Sequence, residues 1–201
     1  PSAGSPTVPL SPSAVVGRTL GLLDDVDIPL RRVAESVGES PELAVQTLRL
    51  AGSAHYGRPA ATLEEAVVRV GAVELRGLLL AAETYPLMAG SLPVYGLPRL
   101  ALVARATDIA RVAHEVARRV SPGVAQAAQV AGLLADIGMP ILSDVAIGAR
   151  VDPPVPPAGP LDEERLFGTD HARVGAYVAR RWGLGDELAD AIAAHHDPEA
   201  P

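Results

Sequence analysis

The chain has 201 residues, 48% hydrophobic and 20% charged, with a formal net charge of −7. It is long enough to bury a core in one domain or two small lobes, and too apolar and too weakly charged to be disordered. The acidic balance argues against a binder that works by neutralising phosphates with a basic face, and the absence of Cys excludes disulfides, Cys-ligated zinc and thiol nucleophiles.

Aromatic residues supply only 3%, so Leu, Val, Ile and Ala must build the core, a mixture that favours helix over sheet. All 17 basic residues are Arg, which reads as coding bias and not as chemistry. Residues 1–12 are rich in Pro and Ser and read as a linker or lead-in. Val15–Leu23 and Pro29–Val37 follow as two short predicted helices. Ser40-Pro41-Glu42-Leu43 is a helix start with Ser as cap and Pro in the first turn, and that helix runs to about Gly52. Thr62-Leu63-Glu64-Glu65 has the form of a capping box and leads into the apolar run Leu75–Ala82. A long helix is predicted over Leu97–Val120, then Pro122–Leu134 and Asp136–Ile147. The proline-rich RVDPPVPPAGP, ending at Pro160, breaks the pattern. Asp170–Trp182 and Asp186–His196 are the last two helices, stopped by Gly183 and by Asp197-Pro198. No alternating strand pattern or internal repeat interrupts them, so the class is all-α.

Glu74, Arg76 and Glu83 interrupt one apolar stretch, and Asp136 and Asp144 another. No membrane span is therefore expected, and no signal peptide opens the chain. A start at Pro1 without Met suggests an excised or processed segment, and the expected compartment is the cytoplasm.

Of the five histidines, His171 shares a helical face with Val174, Val178 and Trp182, so it points inward. His195 shares a face with Leu188, Ala191 and Ile192, while His196 lies about 100° round the same helix. Asp136 sits beside the Leu133 and Met139 stripe. Inward polar residues on three helices can converge. Two readings follow: the Asp and His groups satisfy one another in the core, or imidazoles and carboxylate together hold a cation. His55, in a loop, and His114, on a helix, read as ordinary surface or boundary residues.

Leu48–Gly57, then Leu63-Glu64-Glu65-Ala66-Val67 with Gly71 following, resembles the N-terminal signature of HDOD domains. Gly132-Leu133-Leu134-Ala135-Asp136-Ile137-Gly138 looks like their form of the His-Asp motif of the HD superfamily. Asp170–Ala176, Arg181-Trp182-Gly183-Leu184 and His195-His196-Asp197-Pro198 resemble the C-terminal signature. The resemblance runs from about residue 10 to the end and implies a multi-helix HD-like bundle with an N-terminal helical lobe, divided as 13–96 and 97–201. It also implies which ligands of an HD enzyme are missing. Ala106 stands where a preceding helix would supply a first His, and Ala135 replaces the His of the His-Asp pair. Asp136, His171, His195 and His196 match ligand positions of the cyclic-di-GMP phosphodiesterase branch, whose Gly-Tyr-Pro element is replaced by Asp197-Pro198-Glu199.

The expectation is a non-catalytic bacterial signalling module, with no catalytic residues, cofactor or metal, acting through a protein partner or a small nucleotide such as a cyclic dinucleotide. A fused or adjacent signalling domain is expected, and neither membrane nor nucleic acid as partner. Asp136, His171, His195 and His196 would line a vestigial or ligand-binding pocket. The alternative is a metal-dependent phosphohydrolase or cyclic-dinucleotide phosphodiesterase. A third class, DNA binding through the consecutive short helices of Leu30–Ala51, conflicts with the acidic charge.

Overall fold

The computed structural model describes residues 11–25, 27–53, 56, 60–153 and 155–197. Most of the predicted lead-in, and His55, lie outside them. The described residues are helical, with a single isolated bridge between Leu92 and Leu97 and no strand. They divide into two compact units, one of residues 12–83 and one from Thr84 onward. The division falls inside a helix, earlier than the Gly96 expected from sequence.

The first unit holds α1 (Ala14–Leu23), α2 (Leu30–Gly38), α3 (Pro41–Ala51) and most of α4 (Leu63–Met88). Its caps are local chemistry. The Ser40 hydroxyl accepts from the Leu43 N–H, and Thr62 accepts from the Glu65 N–H while the Glu65 carboxylate takes the Ala61 N–H. Val16, Leu20, Val33, Val37, Leu43, Val67 and Leu79 are buried in its core. Helix α4 is broken at Gly71, where φ is 82° and ψ is 166°, a backbone that disfavours any side chain.

The second unit contains α5 (Ala101–Val120), α6 (Ala125–Leu134), α7 (Gly138–Ala149), α8 (Pro160–Phe167), α9 (His171–Arg181) and α10 (Asp186–Ala194). Helix α5 begins later than Leu97, because Leu92 and Leu97 exchange backbone hydrogen bonds and Leu100 turns left-handed before the helix starts. Helix α7 begins at Gly138, leaving Asp136 in the turn after α6. Helix α8 was not expected. Pro160 occupies its first turn, where a missing N–H costs nothing. Pro122–Ala149 is long and apolar enough to cross a membrane by length and composition, with Asp136 and Asp144 as the charged residues that interrupt it. Here it is bent between α6 and α7 and mostly buried.

Close packing sets the position of α9. A Cβ on Gly138 would stand 2.1 Å from the His171 carbonyl oxygen, so only glycine lets the start of α7 abut the start of α9. That contact brings Asp136 and His171 together.

Candidate functional site

Helix α9 opens with Asp170, whose carboxylate caps it by accepting the Arg173 N–H at 2.8 Å. His171 is therefore the first helical residue, with a free backbone N–H, and this N–H donates to Glu163 Oε2 at 2.8 Å. The same oxygen accepts from His171 Nδ1 at 2.7 Å. Glu163, on α8, thereby fixes both the backbone and the ring. A carboxylate on Nδ1 requires the proton there and turns Nε2 toward what lies opposite.

Opposite lie three more groups. His171 Nε2 is 3.3 Å from Asp136 Oδ1, 2.9 Å from His196 Nε2 and 3.3 Å from His195 Nε2. His195 Nδ1 donates to the Ile192 carbonyl at 2.7 Å, which also leaves its Nε2 facing inward. The ligand atoms of Asp136, His171, His195 and His196 all lie within 4.8 Å of one another. Asp136 and His171 are buried, and His195 and His196 form the exposed rim. The face expected on α10 is partly corrected: Ile192 is buried, but Ala191 is exposed and Ala189 takes its place.

Arg105 completes the cluster from α5. Its Nε is 2.9 Å from Asp136 Oδ2, and its Nη2 is 3.4 Å from Oδ1. The Nε contact is close in distance but poorly aimed, so Oδ2 is ion-paired without a well-directed hydrogen bond.

The electrostatics follow from this packing. Burial pushes the His171 imidazolium down, but its hydrogen bonds to Asp136 and Glu163 and their charges win, raising it to about 9. Burial works to raise Asp136 and Glu163, yet the His171 hydrogen bonds outweigh it, helped at Asp136 by Arg105, and both stay below the usual carboxylate range. His196 is lowered by burial and by the neighbouring His195 and His171. In this state His171 carries a proton on each nitrogen and His196 accepts.

The donor set fits one cation in kind: three imidazole nitrogens and a carboxylate oxygen, with two of the rings already anchored through Nδ1. Four donors suffice for one tetrahedral ion. Ala106 and Ala135 are buried methyl groups and add nothing to the set. His114 is engaged elsewhere, its Nδ1 lying 3.3 Å from the Ala125 carbonyl. Sequence reasoning missed Glu163 and Arg105. An acidic pair just after Pro160 was the available sign of a helix start carrying Glu163, whereas nothing in the spacing marks Arg105.

The HDOD domain family model matches residues 9–198. The chain belongs to the HDOD domain family. The HDOD domain in turn falls within the HD superfamily. Among solved structures, the domain is similar to an HDOD domain protein of unknown function from Geobacter sulfurreducens, 27% identical over 98% of this chain and 66% of that one, with a TM-score of 0.63. A Shewanella amazonensis SB2B protein named putative phosphohydrolase is 25% identical over 93% of this chain and 68% of its own, with a TM-score of 0.67. A second protein from that organism, named putative metal-dependent phosphohydrolase, is 20% identical over 96% and 69%, with a TM-score of 0.64, and shares the fold. The HDOD domain thus spans about two thirds of the length of these structures. No curated protein matches it.

Proposed function

We propose that this HDOD domain is a non-catalytic regulatory module of bacterial signalling, acting by binding a protein partner or a small nucleotide. The observation that carries this reading is the state of Asp136. Its buried carboxylate, the one acid of the tetrad, is already engaged by the Arg105 guanidinium and the His171 ring. Two further positions at which the family resemblance places enzyme ligands are Ala106 and Ala135, and an alanine coordinates nothing. The cluster is held together by its own charges, and the His195–His196 rim is the face left for a ligand or partner. The module works beside an adjacent signalling domain in the cytoplasm.

A second reading, metal-dependent phosphohydrolase, is favoured by the four donors within 4.8 Å. A cation bound there would polarise a phosphoryl oxygen or activate a water. The two readings separate in one assay. Purified domain supplied with manganese or iron should not hydrolyse a cyclic dinucleotide above the no-enzyme rate, while a thermal-shift series of nucleotides finds any ligand. Turnover abolished by Asp136→Ala would establish the second reading.

A further inference from the structure

Arg105 stands on the exposed side of α5, with 47% of its side chain open to solvent, yet it reaches a carboxylate that is 1% exposed. The guanidinium lies across both oxygens of Asp136, Nε toward Oδ2 and Nη2 toward Oδ1. Oδ1 is also the oxygen shared with the imidazoles, 3.3 Å from His171 Nε2 and 3.9 Å from His195 Nε2. A divalent ion seated among those nitrogens would have to take that same oxygen, next to a fixed positive charge.

We propose that Arg105 is a tethered cation that occupies Asp136 in place of a metal ion, so that the Asp136, His171, His195 and His196 tetrad admits a divalent cation only when the guanidinium withdraws. Apart from the His171 Nε2 proton, which an entering ion must displace, the rest of the tetrad is oriented for an ion. His171 and His195 hold their Nδ1 hydrogens on Glu163 and on the Ile192 carbonyl, and His196 has its Nε2 directed at the same point. Arg105 is attached at the rim, has solvent to move into, and gives up only one poorly aimed and one long contact in doing so. Its always-charged guanidinium competes with a dication in a way that no neutral side chain does. This inference rests on the reading of the site as metal-free in its resting state, and it adds the residue that keeps it so.

The test is zinc titration of the chelator-treated chain by competition with a chromophoric chelator. Arg105→Met and Arg105→Gln remove the charge and should bind one zinc ion at least about tenfold more tightly than the parent, the scale on which neighbours of metal ligands act. Arg105→Lys keeps a positive charge and should remain within a few-fold of the parent. Adding Asp136→Asn to Arg105→Met should abolish the gain. Equal zinc affinity of the parent and the two neutral variants, all folded by circular dichroism, overturns the inference and leaves the non-catalytic reading standing. Turnover by the parent with metal overturns that reading instead. If the neutral variants unfold without metal, recovery of their helical signal with zinc reports the same affinity, and no recovery counts against the proposal.

Discussion

The two units bury polar groups in opposite ways. Among the described residues of 12–83 the buried polar side chains are hydroxyls, Thr19, Ser36 and Thr47, satisfied within a helix, as Thr47 Oγ1 to the Leu43 carbonyl at 2.8 Å, or between α1 and α2, as Thr19 Oγ1 to Ser36 Oγ at 2.7 Å. From Thr84 onward the buried set includes Asp136, Glu163, Asp170 and His171. Burying a hydroxyl with a partner costs little, whereas burying an ionised group demands a partner of opposite charge and precise geometry. A helical core does not need such groups to fold, as the first unit shows. Their concentration around the start of α9 sets that region apart from the rest of the helical core.

Removing one member of the ionic set should have the largest effect. Glu163→Ala leaves the His171 ring and N–H without an acceptor, and urea unfolding should show a loss of about 3–5 kcal/mol. A loss no larger than for a hydroxyl in the first unit would erase the contrast. Gly138→Ala comes next. Its Cβ would meet the His171 backbone, so α7 and α9 must separate, at about 3 kcal/mol. The variant should also loosen the cluster, read as a shift of the His171 ring signals.

The pH dependence should follow the ionic unit. His171 is raised to about 9, so its contribution is fully present below the unfolded value of 6.5 and is lost as pH rises through the folded value. Asp136 and Glu163 are lowered, so their contribution is present above the unfolded values of 3.8 and 4.5 and fades as pH falls through the folded ones. Melting temperature should therefore peak between these limits, and His171→Gln should flatten the alkaline limb. An unchanged alkaline limb would remove His171 from the account. The smallest effect belongs to the first unit: Thr19→Val leaves the Ser36 hydroxyl without its partner and should cost about 1 kcal/mol.

Helical periodicity marked His171 as inward, and it is buried. Asp136 is buried too, though from the turn after α6, while His195, read the same way, lies on the exposed rim with its Nε2 toward the cluster. His196, about 100° away, was assigned to the group through the family resemblance. The structure brings all four together. Glu163 escaped because its helix is short and begins with a proline that reads equally well as a breaker. Arg105 escaped for a different reason. It belongs to the solvent side of α5, and its pairing with Asp136, 31 residues away, exists only once α5 and α6 have packed. The late start of α5 has a different origin, the tight turn from Leu92 to Leu97 that ends at left-handed Gly96, which helical periodicity does not register. Patterns set by one helix were readable, and partners supplied by a second helix were not.

The central claim is that the cluster is completed by its own charges, with a proton on each nitrogen of His171 and Arg105 on Asp136. The most direct measurement is a nitrogen-15 NMR titration of the histidine rings in chelator-treated protein. A His171 ring that stays doubly protonated through neutral pH and titrates near about 9, and that titrates lower in Glu163→Gln, is the predicted result. A neutral His171 ring with an unprotonated Nε2 at pH 7 would contradict it.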